Sequence, residues 1–188
     1  MHRKASGAGS VGGVYWAVVL APLEPEVDHV RGDPVGRVIL EYGDYECPYS
    51  RKAFRQVQRV ESRLGGEVRF AFRHFPLTDI HPHALAASAA AEAAAMQGSF
   101  WEMHELLFHR QKALADADLR GYAAELELEL DRFDADMRSG AVLARIRRDV
   151  ESGLASGEVR GTPTLFIDGV VHRGPYDADS LLEEVSLR

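Results

Sequence analysis

The chain has 188 residues, a hydrophobic content of 46%, a formal net charge of −7 and a single cysteine. This length and composition fit one globular domain with a buried core, and no apolar run is long enough to cross a membrane. The net charge argues against nucleic acid as a partner, because phosphate contacts need clustered Lys and Arg. The lone cysteine excludes an internal disulfide, and none of these features constrains the oligomeric state.

The first 34 residues are predicted to form a partly flexible N-terminal extension, ahead of a domain that covers residues 35–188. Two features of this extension resemble an export signal: the basic residues 2–4 and the apolar stretch at residues 14–20. A signal peptide needs about 7–15 apolar residues and a small-residue cleavage site. This stretch has the minimum length, and Pro22 follows the only plausible cleavage point. We therefore expect a cytoplasmic protein with a flexible leader and a short extra strand, with export as the alternative.

The first clear strand is predicted at residues 38–44, and a helix follows it directly. Proline is favoured at the first position of a helix, so Pro48 makes Cys47 the N-cap residue. The sulfur should then face the free backbone N–H groups of Tyr49 and Ser50 and the positive end of the helix dipole. A helix N-terminus of this kind favours the thiolate, which is the reactive form of cysteine.

Two elements follow at clear periodicities. Helical spacing of apolar residues predicts a helix that Gly65 and Gly66 end, and the residues that carry this spacing are Phe54, Val57, Val60 and Leu64. Apolar residues then alternate with arginine and alanine at 68–73, a period of two that predicts a strand closed by Pro76.

The middle of the chain is predicted to be helical. An alanine-dense helix is expected between Pro82 and Gly98, a composition that suits close packing against neighbouring elements. Further apolar stripes predict helices at residues 100–108, 119–130, 131–138 and 142–154, and the acidic run at 125–131 is interpreted as a solvated helix face.

A strand hairpin and a final helix complete the chain. Leu165–Ile167 reads as a buried strand, Asp168–Gly169 as a hairpin turn and residues 170–172 as the partner strand. Asp177 is predicted to cap a last helix that carries Leu181, Leu182 and Val185.

This order of elements and five sequence segments resemble the DsbA-like branch of the thioredoxin superfamily. The segments are Val38-Ile-Leu-Glu-Tyr-Gly-Asp-Tyr-Glu-Cys-Pro-Tyr, Phe72-Arg-His-Phe-Pro-Leu, His81-Pro-His-Ala, Gly98-Ser-Phe-Trp-Glu-Met-His-Glu-Leu-Leu-Phe and Val159-Arg-Gly-Thr-Pro-Thr-Leu-Phe-Ile. The resemblance implies an α/β, thioredoxin-like fold with an all-helical insertion at about residues 79–140. It also implies a cis peptide before Pro163, opposite the active-site sulfur, and pairing of a substrate chain with the backbone of Thr162.

Ser50 is the main departure from that pattern. Family members that act as dithiol oxidants or reductants carry a cysteine at this position, and dithiol chemistry needs the second thiol to resolve a mixed disulfide. Three interpretations stay open for Ser50: a natural monothiol site, an inactive relic, or a laboratory substitution that traps mixed disulfides. A natural monothiol site is the preferred interpretation. In such a site the Ser50 hydroxyl hydrogen-bonds the Cys47 thiolate, and an outside thiol such as glutathione reduces the mixed disulfide at Cys47.

The sequence therefore predicts a monothiol thiol–disulfide oxidoreductase that acts on a disulfide-containing protein or peptide, or on glutathione. Cys47 is the predicted nucleophile, and the opposing interpretation is an inert buried cysteine, which the negative charges of nearby Asp44 and Glu46 would favour. Pro48 and Tyr49 either tune the sulfur or only start the helix. The alternatives for the whole chain are a catalytically degraded peptide- or protein-binding module and a one-cysteine peroxidase that passes through a sulfenic acid.

No cofactor or metal is expected, with glutathione as a possible co-substrate. His81 and His83 flank a proline but have no nearby Cys or acidic ligands at zinc spacing, so roles at the helix start or surface are preferred. Arg51, Lys52 or Arg160 could meet the carboxylates of glutathione, although each also fits an ordinary surface charge.

Overall fold

A computed structural model describes residues 20–24 and 26–187 of the protein. Those residues form a mixed five-stranded sheet with seven α-helices, which confirms the predicted α/β class and the helical insertion. The strands are β1 (His29–Gly32), β2 (Arg37–Gly43), β3 (Val68–His74), β4 (Thr164–Ile167) and β5 (Val170–Val171). The helices are α1 (Pro48–Leu64), α2 (Ala84–Ala95), α3 (Phe100–His109), α4 (Asp116–Glu125), α5 (Leu130–Asp136), α6 (Gly140–Ala155) and α7 (Ala178–Leu187).

The sheet has the strand order β1-β3-β2-β4-β5. Strands β2 and β3 are parallel, with α1 as the connection between them, and the other neighbours are antiparallel. Because side chains alternate along a strand, Ile39 and Phe72 face the main core under α1 and the insertion. Leu40 and Tyr42 face a second, smaller core on the opposite side. The sheet is thus buried on both faces, as parallel strands require.

Local sequence explains where several elements begin and turn. Pro48 occupies the first turn of α1, as predicted. Asp168 (φ 47°) and Gly169 (φ 80°) both adopt the left-handed conformation that a tight hairpin between β4 and β5 demands. In α2 the small side chains of alanine let the neighbouring helices approach closely. The alanines of α2 without exposed surface are Ala84, Ala87, Ala90, Ala91, Ala93 and Ala94.

The helix predicted at residues 119–130 is wrong in its bounds. Helix α4 ends at Glu125, and α5 begins at Leu130, so the acidic run at 125–131 forms mostly the turn between them rather than a helix face. Glu127 has a φ of 56° in this turn, a left-handed conformation that ends a helix. Leu126 and Leu128 pack against the main core from the turn, which is why their apolar spacing resembled a continuing helix.

The end of the predicted N-terminal extension takes part in the sheet. Strand β1 pairs with β3 through residues 29–32, a segment where no strand was expected. The short extra strand was expected from the apolar stretch at residues 14–20 instead. The predicted flexible leader at residues 1–13 and most of the apolar stretch at 14–20 lie outside the described residues. None of the described helices is both long and apolar enough to cross a bilayer.

A buried arginine fixes the approach to β1. Arg73 has no exposed surface, and its guanidinium donates to both carboxylate oxygens of Asp28 at 2.8 and 2.9 Å. It also donates to the carbonyls of Ala21 and Pro22 at 3.1 and 2.9 Å. Burial, the largest single influence, acts to raise the pKa of Asp28. The hydrogen bonds and charge of Arg73, together with the hydrogen bonds from the backbone N–H of Glu24 and from Arg148, outweigh it and lower that pKa to about 2. The segment before β1 is therefore held by charge-assisted hydrogen bonds.

Candidate active site

Cys47 is the N-cap residue of α1, as predicted. Its backbone is extended (φ −71°, ψ 121°), and its carbonyl accepts the N–H of Arg51 at 3.1 Å, which starts the helix. The side chain makes no cap hydrogen bond to the first turn, although the sequence placed the sulfur against those N–H groups. The residue is only 3% exposed, so the sulfur lies in a covered position at the helix N-terminus.

The thiol of Cys47 instead contacts the loop before β4. Its S–H donates to the carbonyl of Thr162, with 3.3 Å between Sγ and oxygen. The Thr162–Pro163 peptide is cis. Sheet pairing explains the meeting, because Tyr42 near the end of β2 is paired with Thr164 at the start of β4. The connections beyond these two strand ends therefore leave the same edge of the sheet.

Ser50 is buried one turn into α1, and its hydroxyl is engaged away from the sulfur. The Oγ atom accepts the backbone N–H of Asp44 at 3.2 Å. No hydrogen bond joins Ser50 to Cys47 among the described residues, which differs from the expected bond to the thiolate. The serine here ties the start of the helix to the loop after β2. Pro48 and Tyr49 are exposed on the other side of the helix start, Tyr49 at 62%.

The two acidic residues expected to oppose ionisation of the thiol are both hydrogen-bonded. The Asp44 carboxylate accepts the N–H groups of Glu46 and Leu77 at 2.8 and 2.9 Å and contacts His81 Nδ1 at 2.7 Å. Glu46 Oε2 accepts the N–H of His83 at 2.6 Å. These contacts fix both carboxylates beside the cysteine loop and tie that loop to the segment at residues 77–83.

Glu41 is a site candidate that the sequence analysis did not identify. It lies on β2 with no exposed surface, and neither carboxylate oxygen has a hydrogen-bond partner among the described residues. Burial raises the pKa of Glu41 to about 8, so the side chain is a neutral acid at pH 7. A lone glutamate inside an otherwise apolar strand was the available signal.

Tyr176 connects Glu41 to the cysteine electrostatically. Burial raises the pKa of Tyr176, and the charges of Cys47, Tyr49 and Glu41 raise it further. These groups therefore lie within range of one another's charge. Tyr176 also lines a surface cavity of about 320 Å³ together with Pro163 and Thr164, and Lys52 Nζ lies 5.8 Å from the centre of its ring.

The helical insertion reaches the cysteine loop through Gln111. This side chain follows α3 and donates from Nε2 to the carbonyls of Tyr45 and Cys47, at 2.7 and 2.8 Å. Gln111 also lines a cavity of about 380 Å³ with basic residues around it, namely Arg51, His109, Arg110 and Lys112. Arg110 is paired with Glu125, whereas Arg51 and Lys112 have no ion pair with any described residue. A basic cavity thus adjoins the backbone of the predicted nucleophile.

The remaining candidates are more dispersed. Lys52 and Arg160 are exposed. His81 Nδ1 is hydrogen-bonded to the Asp44 carboxylate. His83 is exposed, and it does not belong to the one group of three possible metal ligands among the described residues.

Comparison with known proteins places the chain in a family. Residues 24–185 match a family model described as "Thioredoxin". Two Na⁺/H⁺ antiporters of the NhaA type are similar: one from Salinispora arenicola (46% identity over 89% of this chain) and one from Mycolicibacterium vanbaalenii (42% over 87%). The chain spans about a quarter of the length of these curated relatives, 26% and 27%.

Solved structures give the same fold. A thioredoxin-like oxidoreductase from Silicibacter pomeroyi is 26% identical with a TM-score of 0.76, covering 87% of this chain and 92% of that one. BdbD from Bacillus subtilis is 20% identical with a TM-score of 0.78, covering 91% and 97%. α-DsbA1 from Wolbachia pipientis is 20% identical with a TM-score of 0.74, covering 89% and 92%. The thioredoxin-like fold with a DsbA-type helical insertion is thereby confirmed.

Proposed function

The chain belongs to the thioredoxin family, and from this premise we propose that it is a DsbA-like thiol–disulfide oxidoreductase that works through the single sulfur of Cys47. The observation that carries the proposal is the 3.3 Å contact between Cys47 Sγ and the carbonyl of Thr162, at the N-terminus of α1. It joins a nucleophile candidate at a helix dipole to the backbone that would hold a substrate disulfide.

The reaction begins with ionisation of the thiol. In the reduced protein the S–H donates to Thr162, and the residue is covered. Loss of the proton removes this hydrogen bond and leaves a negative sulfur beside a carbonyl oxygen, two groups that repel each other. The sulfur must therefore leave the Thr162 carbonyl as it ionises, and it is then free to approach a disulfide.

The thiol–disulfide exchange then needs one external reductant, which is glutathione. The Cys47 thiolate attacks a mixed disulfide between a protein and glutathione, a Cys47–glutathione disulfide forms, and the protein thiolate leaves and takes a proton. A second glutathione attacks that disulfide, so glutathione disulfide leaves and Cys47 returns to the thiol. Ser50 cannot perform the second step, which is why an outside thiol is required.

The basic cavity beside Gln111 supports glutathione as the co-substrate. Glutathione carries two carboxylates, and Arg51 and Lys112 supply cationic groups that are not paired with described acidic residues. Lys52, beside Tyr176, is a further cation near the cavity at Pro163. Because glutathione keeps thiols reduced in the cytosol, we propose the cytoplasm as the place of action.

Turnover of a glutathionylated peptide tests the proposal. Wild-type protein with excess glutathione should release the free peptide over many cycles, and Cys47→Ala should leave only the uncatalysed rate. The variants Arg51→Gln and Lys112→Gln should raise the KM for glutathione, with exposed Arg59→Gln on α1 as a matched control. Turnover by Cys47→Ala equal to that of the wild type would refute the proposal, and a sulfenic acid at Cys47 without a glutathione adduct would favour the peroxidase instead.

A binding module is the second candidate function. Its support is the 46% identity over 89% of this chain to an antiporter of which the match covers only 26%, together with the serine at position 50. In this version the fold recognises a partner protein through the surface cavity lined by Pro163 and Thr164, and the sulfur is dispensable. Pull-down with the cognate partner would then be unaffected by Cys47→Ala, whereas the oxidoreductase proposal requires capture through that sulfur.

A further inference from the structure

A second cluster of reactive side chains lies where β1, β3 and α2 meet. The Nε2 atoms of His29 and His74 each lie 2.7 Å from the same oxygen of Glu92, Oε1. All three ligand atoms lie within 4.8 Å of one another. His74 has no exposed surface, and the side chains of His29 and Glu92 are 15% and 7% exposed. We propose that His29, His74 and Glu92 bind a divalent transition-metal ion, for which Zn²⁺ is the best fit.

The chemical types of the three ligands decide which ion fits best. Two imidazoles and one carboxylate form the three-ligand set that proteins use for zinc sites with one open position, and the same set also suits Fe²⁺. Tetrahedral Zn²⁺ with bonds of about 2.1 Å keeps its ligand atoms about 3.4 Å apart. The two 2.7 Å contacts would therefore lengthen by about 0.7 Å, a shift that small side-chain rotations accommodate.

The imidazole protons of His29 and His74 can move from Nε2 to Nδ1, and only the hydrogen bonds to Glu92 are lost. Metal binding needs both Nε2 atoms without a proton, and each neutral ring then carries its proton on Nδ1. His74 Nδ1 is buried and has no partner among the described residues. His74 Nδ1 is therefore unpaired in either tautomer, and the change of tautomer breaks no hydrogen bond at this nitrogen.

The rings are held in place by contacts other than Glu92. The His29 ring stacks on Phe100, with 3.4 Å between ring centres and an angle of 8°. The backbone N–H of His74 donates to Asp149 at 2.9 Å. Ligands that are already oriented bind with a smaller loss of conformational entropy.

One nearby cation opposes the proposed ion. Arg145 Nε lies 4.0 Å from Glu92 Oε1. The same guanidinium forms a short ion pair with Asp149 and lies 3.8 Å from Asp28. Asp28 and Asp149 thus share the charge of Arg145, although both also pair with Arg148 and Asp28 pairs with Arg73. The contact with Glu92 is the longest that Arg145 makes to a carboxylate. The partly exposed edge of His29 on the edge strand β1 is the path by which the ion enters.

The site would join the sheet edge to the helical insertion, because its ligands come from β1, β3 and α2. No metal was expected from the sequence, and no motif joins these ligands, because His29 and His74 lie 63 and 18 positions from Glu92. The inference is independent of the proposed thiol chemistry, because none of the three ligands belongs to the cysteine loop.

Binding of Zn²⁺ and Co²⁺ to the full chain tests the inference. The Cys47→Ser background removes the only thiolate that could bind either ion. We expect one Zn²⁺ per chain after dialysis, the visible absorption of four-coordinate Co²⁺, and a higher melting temperature with either ion. His29→Gln keeps a hydrogen bond to Glu92 but loses the ligand, so it should weaken binding at least tenfold. Exposed His83→Gln is the matched control and should bind like the parent.

Two results would overturn the inference. One is the absence of saturable, stoichiometric binding of either ion to the parent protein. The other is equal affinity in His29→Gln and the parent. Glu92→Gln is a second test if it folds, as judged by circular dichroism without metal. If Glu92→Gln does not fold, the comparison of His29→Gln with the parent still decides the question, because His29 is partly exposed.

Discussion

Substitution of Glu41 by glutamine should change how the stability of the protein depends on pH. Burial raises the pKa of this carboxyl from 4.5 to about 8 in the folded protein. Between these pH values the unfolded chain loses the proton at this position while the folded chain keeps it. The folded state then binds more protons than the unfolded state, so its stability falls as pH rises and the loss levels off near pH 8.

The magnitude follows from the same shift. Each pH unit between the two pKa values removes about 1.4 kcal/mol of stability, so the full span gives about 5 kcal/mol. Relaxation around a buried charge reduces such effects, and we expect a difference of about 3–5 kcal/mol in the pH dependence of wild type and Glu41→Gln. The amide also leaves a buried donor unpaired, which costs about 1–3 kcal/mol at every pH and so does not alter the slope.

Urea unfolding at pH 5, 6, 7 and 8 measures this difference. Wild type should lose stability relative to Glu41→Gln as pH rises, and the difference should be small below pH 5. Glu151→Gln, at an exposed position on α6, is the matched control and should follow wild type. Parallel curves for wild type and Glu41→Gln would show that Glu41 is already ionised in the folded protein, and the interpretation of its burial would be wrong.

Three further substitutions test other parts of the account. Ser50→Cys should add a resolving thiol and create insulin reductase activity, whereas Ser62→Cys on the exposed face of the same helix should not; no activity in either variant would indicate a degraded groove. Gln111→Ala removes two hydrogen bonds to the cysteine loop and should lower the free energy of unfolding by about 1–2 kcal/mol, and no change in urea would contradict the assigned contacts. Arg73→Met leaves the buried Asp28 without its main partner and should cost about 3–5 kcal/mol. A loss below about 1 kcal/mol would show that Asp28 is protonated or solvated.

Much of the fold was predictable because its local signals agree with its packing. Pro48 marked the start of α1, alternation marked β3, and Asp168–Gly169 marked the hairpin. The end of α4 was not predictable, because Leu126 and Leu128 continue an apolar pattern that is compatible with a helix. They pack into the core from a turn, so tertiary contacts decided the local conformation there.

The candidate site was predictable only in part. Cys47 and Thr162 lie 115 positions apart, and their meeting was expected from the family resemblance rather than from any local pattern. The contacts of His81 with Asp44 and of Gln111 with the cysteine loop join residues 37 to 66 positions apart. No periodicity or motif encodes such pairs, because the sheet register and the docking of the insertion create them.

The reactivity of the folded thiol tests the central claim most directly. Reduced protein and free glutathione would be treated at pH 7 with the same small neutral alkylating agent, with intact mass reporting modification of Cys47. The account predicts that the folded protein reacts at least about ten times faster than glutathione, because the helix N-terminus stabilises the thiolate. A rate equal to or below that of glutathione, with faster reaction only after unfolding in urea, would contradict it.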